Sequence, residues 1–572
     1  MKRSTCIGFC AGVLAFVLTH PACAAQYDLL ITNGLVYDGS GAKPYVADIG
    51  INGDRIAKIG QLQADTAREV IEARGLSVAP GFINMLSWAT ESLLIDGSSQ
   101  SNIRQGVTLE VFGEGNSMGP LNPAMKARLD KRLEAWNVDV SWTTLGEYLD
   151  HLVASGVSPN VASFVGATTV RVHELGMHDR APTPDELQRM QYLVAEAMRE
   201  GALGIGSALI YAPGFYAGTD ELVALTRTAG SYGGMYISHM RSEGNQLLRA
   251  IEELISIAER AATRAEIYHL KVGGRDNWPK FSQAVAIIED ARARGLPITA
   301  NMYTYTAGST GLDAAMPPWS QEGGYASWKA RLQDPQTRNR IAQAMVTPSD
   351  DWENLLLAAG PENVLLVGFH NPELRQYAGR TLADVARSNN TSPVEMAMDL
   401  VIADGSRVQA VYFLMSEANV AATVALPWVS FGSDAASIAN EGVFLQRSTH
   451  PRTYGNFARL LSKYVREEQV LSMAEAIRKL TRLPATNLRI RDRGELQPGY
   501  FADVVVFDPR RIAEHATYKN PHQYSTGMVH VFVNGEQVLR DGNHTGRLPG
   551  RVVRGPGWQG HRTDVGRHVQ AQ

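Results

Sequence analysis

Cysteine is almost missing from this chain: among 572 residues there are three, Cys6, Cys10 and Cys23, all near the N-terminus. Beyond them no thiol remains, which excludes disulfide crosslinks, thiolate metal ligands and cysteine nucleophiles from the rest of the chain. Stability has to come from a large core, and a metal site has to use histidine, carboxylate or water. A strong excess of one charge is missing too. The formal charge of −4 on so large a surface gives no electrostatic reason to expect a nucleic-acid partner. The apolar stretch from Cys6 to Leu18, about 13 residues, falls short of the roughly 20 that span a bilayer. No Gly-x-Gly-x-x-Gly follows the early strands, which removes the basis for a dinucleotide-binding open sheet.

What is present begins with a leader. Lys2 and Arg3 precede the apolar stretch, and Ala22, Ala24 and Ala25 supply small residues for a signal peptidase. Charged, apolar and small segments in that order make residues 1–25 a secretory signal peptide. The chain is thus expected to be exported, to the periplasm or the medium, with no stable membrane insertion after cleavage. His20 and Pro21 speak against lipidation at Cys23.

From Tyr27 to Ile59 apolar and polar residues alternate, punctuated by Asn33-Gly34, Asp38-Gly39 and Asn52-Gly53-Asp54, a pattern of short strands joined by tight turns. A related pattern returns after Gly494, in Ala502-Asp503-Val504-Val505-Val506-Phe507 and in Val529 to Leu539. The two ends are expected to build one small β domain from residues 26–80 and 491–572. Between them, over 81–490, strand candidates alternate with helices. The candidates are Ala162–Val165, Leu203–Ser207, Met235–Ser238, Glu266–Leu270, Ile298–Asn301 and Trp428–Gly432, and two of the helices are Pro184–Arg199 and Gln246–Arg264. That rhythm predicts a parallel α/β architecture, and a (β/α)₈ barrel fits it better than an open sheet. Pro317-Pro318-Trp319 opens an interruption, read as an insertion over the barrel mouth at about 309–420.

In such a barrel the reacting groups stand at the C-terminal ends of strands. His239, His269, Glu114 and Asp434 all follow predicted strands in this way. Two neutral imidazoles on successive strands with a carboxylate make a thiol-free set for a divalent metal, which lowers the pKa of a water to about 7. Asp434 suits a ligand, a proton acceptor, or both. Each residue also has a plainer role: a hydrogen-bonded structural histidine, a helix-capping Gly-Ser-Asp, a loop carboxylate between glycines. His173, His178, His370 and His450 read as structural.

The chain resembles the N-acyl-D-amino-acid deacylases (D-aminoacylases) of the amidohydrolase superfamily, through motifs that run in order over some 500 residues. They include Ala79-Pro80-Gly81-Phe82-Ile83, Tyr211-Ala212-Pro213-Gly214-Phe215-Tyr216 and Ser238-His239-Met240-Arg241-Ser242-Glu243. His269-Leu270-Lys271, Tyr303-Thr304-Tyr305-Thr306-Ala307-Gly308, Gly432-Ser433-Asp434, His450-Pro451-Arg452-Thr453-Tyr454-Gly455 and Pro498-Gly499-Tyr500-Phe501-Ala502-Asp503 complete the series. The resemblance implies a (β/α)₈ TIM barrel beside a β-sandwich made from both chain ends. It also implies hydrolysis of a small N-acyl-D-amino acid, with His239 and His269 binding metal and Asp434 acting as acid/base.

One departure stands out. Where the superfamily carries Asp-x-His-x-His, this chain reads Asn84-Met85-Leu86-Ser87-Trp88, and Glu114 occupies the place of the deacylases' cysteine ligand. The resemblance then implies a site for one divalent metal ion, zinc, held by Glu114, His239 and His269. Lys271, Arg241, Tyr305 and Tyr211 are the candidate substrate contacts. Two alternatives stay open on the sequence: an amidohydrolase of cyclic amides or dipeptides, and a binding protein without turnover. Acyl group, amino acid and oligomeric state are not readable from it.

Overall fold

The computed structural model describes Met1, residues 25–63 and residues 67–560, so nearly all of the expected signal peptide lies outside the described residues. At the centre are eight short strands: β1 (Phe82–Asn84), β2 (Val107–Phe112), β3 (Asn160–Ser163, resuming at Val165–Gly166), β4 (Gly204–Ala208), β5 (Met235–His239), β6 (Ala265–Ile267), β7 (Ile298–Met302) and β8 (Val429–Phe431). Each pairs in parallel with the next. The ring closes through Met85 N–H to Phe431 C=O at 3.1 Å and Asp434 N–H to Leu86 C=O at 2.9 Å. The strands are almost wholly buried, as the runs Val-Thr-Leu-Glu-Val-Phe and Met-Tyr-Ile-Ser-His require when helices cover the outside of a parallel sheet.

Between β3 and β7 the crossovers include α1 (Pro184–Arg199), α2 (Thr219–Ser231), α3 (Leu247–Ala261) and α4 (Phe281–Ala293). The first begins where local chemistry dictates. Thr183 and Glu186 form a reciprocal capping box and Pro184 takes the first helical position, where its missing N–H costs nothing. Helix α3 buries one stripe, Leu247, Ile251, Leu254 and Ile255 among it. Each such side chain contributes about 1.5–3 kcal/mol by leaving water.

Between β7 and β8 the rhythm breaks as the sequence predicts. A separate antiparallel sheet forms there, with Gln409–Phe413 between Ala307–Gly311 and Val364–Gly368. It starts at Ala307, two residues before the expected edge, and the chain returns to the ring through helix Glu417–Ala425.

The chain ends meet in one β layer. Strand Ser77–Pro80 lies antiparallel to Val504–Phe507, with Val504 opposite Pro80, and Tyr27–Val36 flanks it on the other side. Leu29, Ile31, Ile49, Val78, Val504 and Phe532 share the resulting core. Beyond it the C-terminal segment runs beneath the barrel, where Arg551 C=O accepts from Val161 N–H and Gly555 N–H donates to Gly201 C=O.

Candidate functional site

Four strand ends bring the chemistry together. Glu114 follows β2 inside Gly113-Glu114-Gly115, and neither glycine can be replaced. Gly113 has φ +109 and a Cβ there would lie 2.5 Å from Phe164 C=O; Gly115 has φ +68 and its Cβ would meet Ala208 Cβ at 2.7 Å. The loop therefore folds tightly against β3 and β4 and turns Glu114 inward, where it is buried. His239 is the last residue of β5. His269 falls two residues beyond β6, which is shorter than expected because His269 adopts φ +36. Asp434 follows β8 with φ +48. Two non-glycine residues in the left-handed region within one site mark strained backbone held by its surroundings.

Glu114 Oε1 lies 3.0 Å from His239 Nδ1 and 2.8 Å from His269 Nε2. One ligating atom from each of the three residues falls within 4.8 Å of the others. His239 Nε2 is buried without a hydrogen-bond partner, an orphan that a cation would satisfy. Burial works against a charge on Glu114, but His269 and His239 overcome it and hold the carboxyl well below its ordinary range. Burial and Lys271 push His269 down, yet Glu243 and Glu114 outweigh them and raise the ring to about 9. A cluster that keeps its carboxylate ionised and gathers negative charge around its imidazoles suits a divalent cation, which takes the proton's place.

Glu243 supports this set from behind. Its Oε1 stands 3.0 Å from His269 Nδ1 and accepts from Lys271 Nζ at 2.6 Å, and Oε2 lies 3.7 Å from His239 Nε2. With its Nδ1 turned to Glu243 and Lys271, His269 presents Nε2 to Glu114, and Nε2 is the nitrogen placed to ligate, with a carboxylate behind the ring. Glu353, from the segment between β7 and β8, accepts from Glu243 N–H. Burial and the Glu243 charge push the Glu353 carboxyl up to about 7.

Opposite stands Asp434. Arg452 Nη1 approaches its Oδ2 to 2.7 Å as a buried ion pair, while the guanidinium lies 4.5 Å above the Tyr303 ring. Burial raises the Asp434 carboxyl above its ordinary value, against the pull of Arg452. On the other side the indole of Trp88 donates from Nε1 to Asp434 Oδ1 at 3.1 Å and to Glu114 Oε2 at 3.0 Å.

The sequence-derived substrate contacts divide. Lys271 is in the cluster, its Nζ 2.7 Å from His269 Nδ1. Tyr211 packs edge-on against His239 at 5.3 Å, and burial keeps its phenol protonated. Arg241 is a different matter. Its guanidinium bonds Glu253 through Nε and Nη2 and the carbonyls of Phe215 and Ala217, so it fastens the loop before α2 onto α3 and turns away from the cluster. Tyr305 sits behind His450, at 5.4 Å, and under Arg459, at 4.9 Å, so it packs the wall. His450 is buried and neutral; its Nε2–H donates to Ala307 C=O and its Nδ1 accepts from Arg452 N–H, which fixes the arginine that faces Asp434. His173 and His178 pair with Glu174 and Glu322.

A closed parallel (β/α)₈ ring with two histidines and two carboxylates at the C-terminal ends of its strands defines an amidohydrolase-type barrel. A model described as "Amidohydrolase family" matches residues 364–539. The D-aminoacylase of Alcaligenes xylosoxydans xylosoxydans is 33% identical over 531 residues, 92% of this chain and 97% of the relative. A D-aminoacylase structure described by a binuclear metal center with one-metal activation and second-metal attenuation superposes with TM-score 0.76 at 31% identity, covering 92% of this chain and all of the other. The N-acyl-D-glutamate deacylase of Bordetella bronchiseptica, solved with zinc and a phosphonate mimic of the tetrahedral intermediate, superposes with TM-score 0.75 at 29% identity, with 92% of this chain and all of the other covered. The chain belongs to the D-aminoacylase family of amidohydrolases.

Proposed function

We propose that this protein hydrolyses N-acyl-D-amino acids to a carboxylate and a D-amino acid, with one divalent cation, zinc, held by Glu114, His239 and His269. The observation that carries the reading is the convergence of those three buried residues, with Glu114 Oε1 3.0 Å from His239 Nδ1 and 2.8 Å from His269 Nε2, across from Asp434. The names of relatives 30–33% identical over 92% of the chain, D-aminoacylase and the N-acyl-D-glutamate and N-acyl-D-aspartate deacylases, support the substrate class.

A cation in that set supplies a Lewis acid for the amide carbonyl and lowers the pKa of water toward neutrality. Asp434 takes the proton from the attacking water. Arg452 and Trp88 hold its two oxygens, so the carboxylate is fixed before substrate arrives and loses little on reaching the transition state. Asp434 then returns the proton to the departing nitrogen, because an amide nitrogen leaves poorly unless protonated. Lys271 offers a buried cation beside the cluster for the substrate carboxylate or carbonyl, and Tyr211 forms the wall against His239. The reaction takes place after export, a reading supported by the leader's charged, apolar and small segments.

The test is a substrate panel on the full chain, comparing N-acyl-D-amino acids, their L-enantiomers and cyclic amides, with chiral detection of the released amino acid. Release of the D-enantiomer only is expected. Turnover confined to cyclic amides or to L-substrates would refute the assignment.

A further inference from the structure

One contact of the site does more than hold Asp434: the indole of Trp88, a partly exposed side chain, also reaches Glu114. Glu114 and Asp434 each spend one oxygen on a charged or ligating partner: Oε1 of Glu114 on the two histidines, Oδ2 of Asp434 on Arg452. Their remaining oxygens, Glu114 Oε2 and Asp434 Oδ1, converge on a single N–H, that of Trp88, at 3.0 and 3.1 Å. Two buried carboxylates that face one another need a cation or a donor between them. Here the group between is an indole, which donates one hydrogen and has no lone pair to ligate with.

The indole is rooted firmly. The backbone N–H of Trp88 donates to Ala435 C=O at 3.0 Å, next to the parallel bridge between Ser87 and Ala435 that extends the seam between β1 and β8. Leu86, two residues before it, is fully buried and closely packed against Gly432. Neither position offers a nitrogen or oxygen lone pair from its side chain.

We propose that Trp88 occupies the place of a second cation: its indole N–H satisfies the two carboxylates that a second cation would otherwise bridge, its side chain brings no ligand, and the centre is limited to a single cation whatever the metal supply. Trp88 is a positioning residue, which acts through Glu114 and Asp434. The inference rests on the one-cation reading above and goes beyond it, since it makes the number of cations a property of one side chain. The second-metal attenuation named for the related D-aminoacylase should then be absent in this protein.

The test uses the full chain, stripped with a chelator, loaded with excess Co²⁺, desalted and measured for cobalt per chain by mass spectrometry. Visible absorption serves as a second readout. Wild type is expected to keep about one equivalent and Trp88→Phe, which restores no ligand, also one. Trp88→His, which adds an imidazole beside Glu114 and Asp434, should approach two with a corresponding gain in absorption. Two equivalents in wild type would overturn the role of Trp88 and leave the hydrolase reading standing. None in wild type would remove the cation reading on which it rests. A Trp88→His protein with a native circular-dichroism spectrum and one equivalent would also overturn it. If that variant fails to fold, Trp88→Asp, which also adds a ligand at this position, takes its place with the same two outcomes.

Discussion

Replacing Asp434 with asparagine should cost far more activity than stability. The carboxylate accepts from Trp88 Nε1 through Oδ1 and pairs with Arg452 Nη1 through Oδ2. An amide has one oxygen and one NH₂, so whichever way it turns, one donor faces another. Leaving a buried polar group unpaired costs about 1–3 kcal/mol. The low end applies here, because Trp88 keeps Glu114 Oε2 at 3.0 Å and Arg452 keeps the Tyr303 ring. The catalytic loss is larger. General acid–base help contributes roughly 10²–10⁴-fold, which is about 2.7–5.4 kcal/mol of barrier. Since Asp434 serves both proton transfers, a fall of roughly 10³-fold or more in kcat is expected, at the upper end of that range. The assay is kcat and KM on an N-acyl-D-amino acid, run beside cation content and thermal unfolding of the same preparation. KM should move by no more than a few-fold and cation content should not change. A variant within tenfold of the wild-type kcat would refute the role given to this residue.

Removing a ligand should act on the cation itself: Glu114→Gln or His269→Ala should lower cation affinity by more than the 10–100-fold typical of outer partners, measured by competition with a chelating dye. An unchanged affinity would take that residue out of the set. Glu243→Gln, which alters the group behind His269, should fall within that 10–100-fold range. Glu353 gives a pH signature. Burial and Glu243 raise its carboxyl from near 4.5 to about 7, so the folded state favours the protonated form. Its stabilising contribution is full below about 4.5 and is lost as pH rises through 7. Thermal unfolding should therefore show wild type losing stability relative to Glu353→Gln between those values, and a constant difference would contradict this.

Much of the architecture was legible because it is encoded locally. Helix Pro184–Arg199 announces itself through Thr183, Pro184 and Glu186, and the turn at Asn52-Gly53 announces the β layer, whereas Asn33-Gly34, expected as a turn, is a bulge inside the continuous strand Tyr27–Val36. His239 was readable as a strand end. His269 was readable only as a neighbourhood, because a positive φ ends its strand two residues early. Residues whose partners lie far along the chain escaped. Trp88 reaches Glu114 across 26 positions and Asp434 across 346, and no spacing in the sequence ties an indole to either. Arg452 and Glu353 come to the site from outside the strands, the first after β8 and the second from the segment before it. Glu243 carried one faint signal, its place four residues after His239. Proximity in sequence misled for Arg241: two positions from His239, it faces the other way and ties a loop to α3.

The central claim is that a cation held by Glu114, His239 and His269 is needed for hydrolysis of an N-acyl-D-amino acid. It is tested most directly by titrating the chelator-stripped protein with Zn²⁺ while following release of the D-amino acid by chiral chromatography. Activity is predicted to be absent at the start, to rise linearly and to level off at about one equivalent per chain. Full activity in the stripped protein would contradict the account.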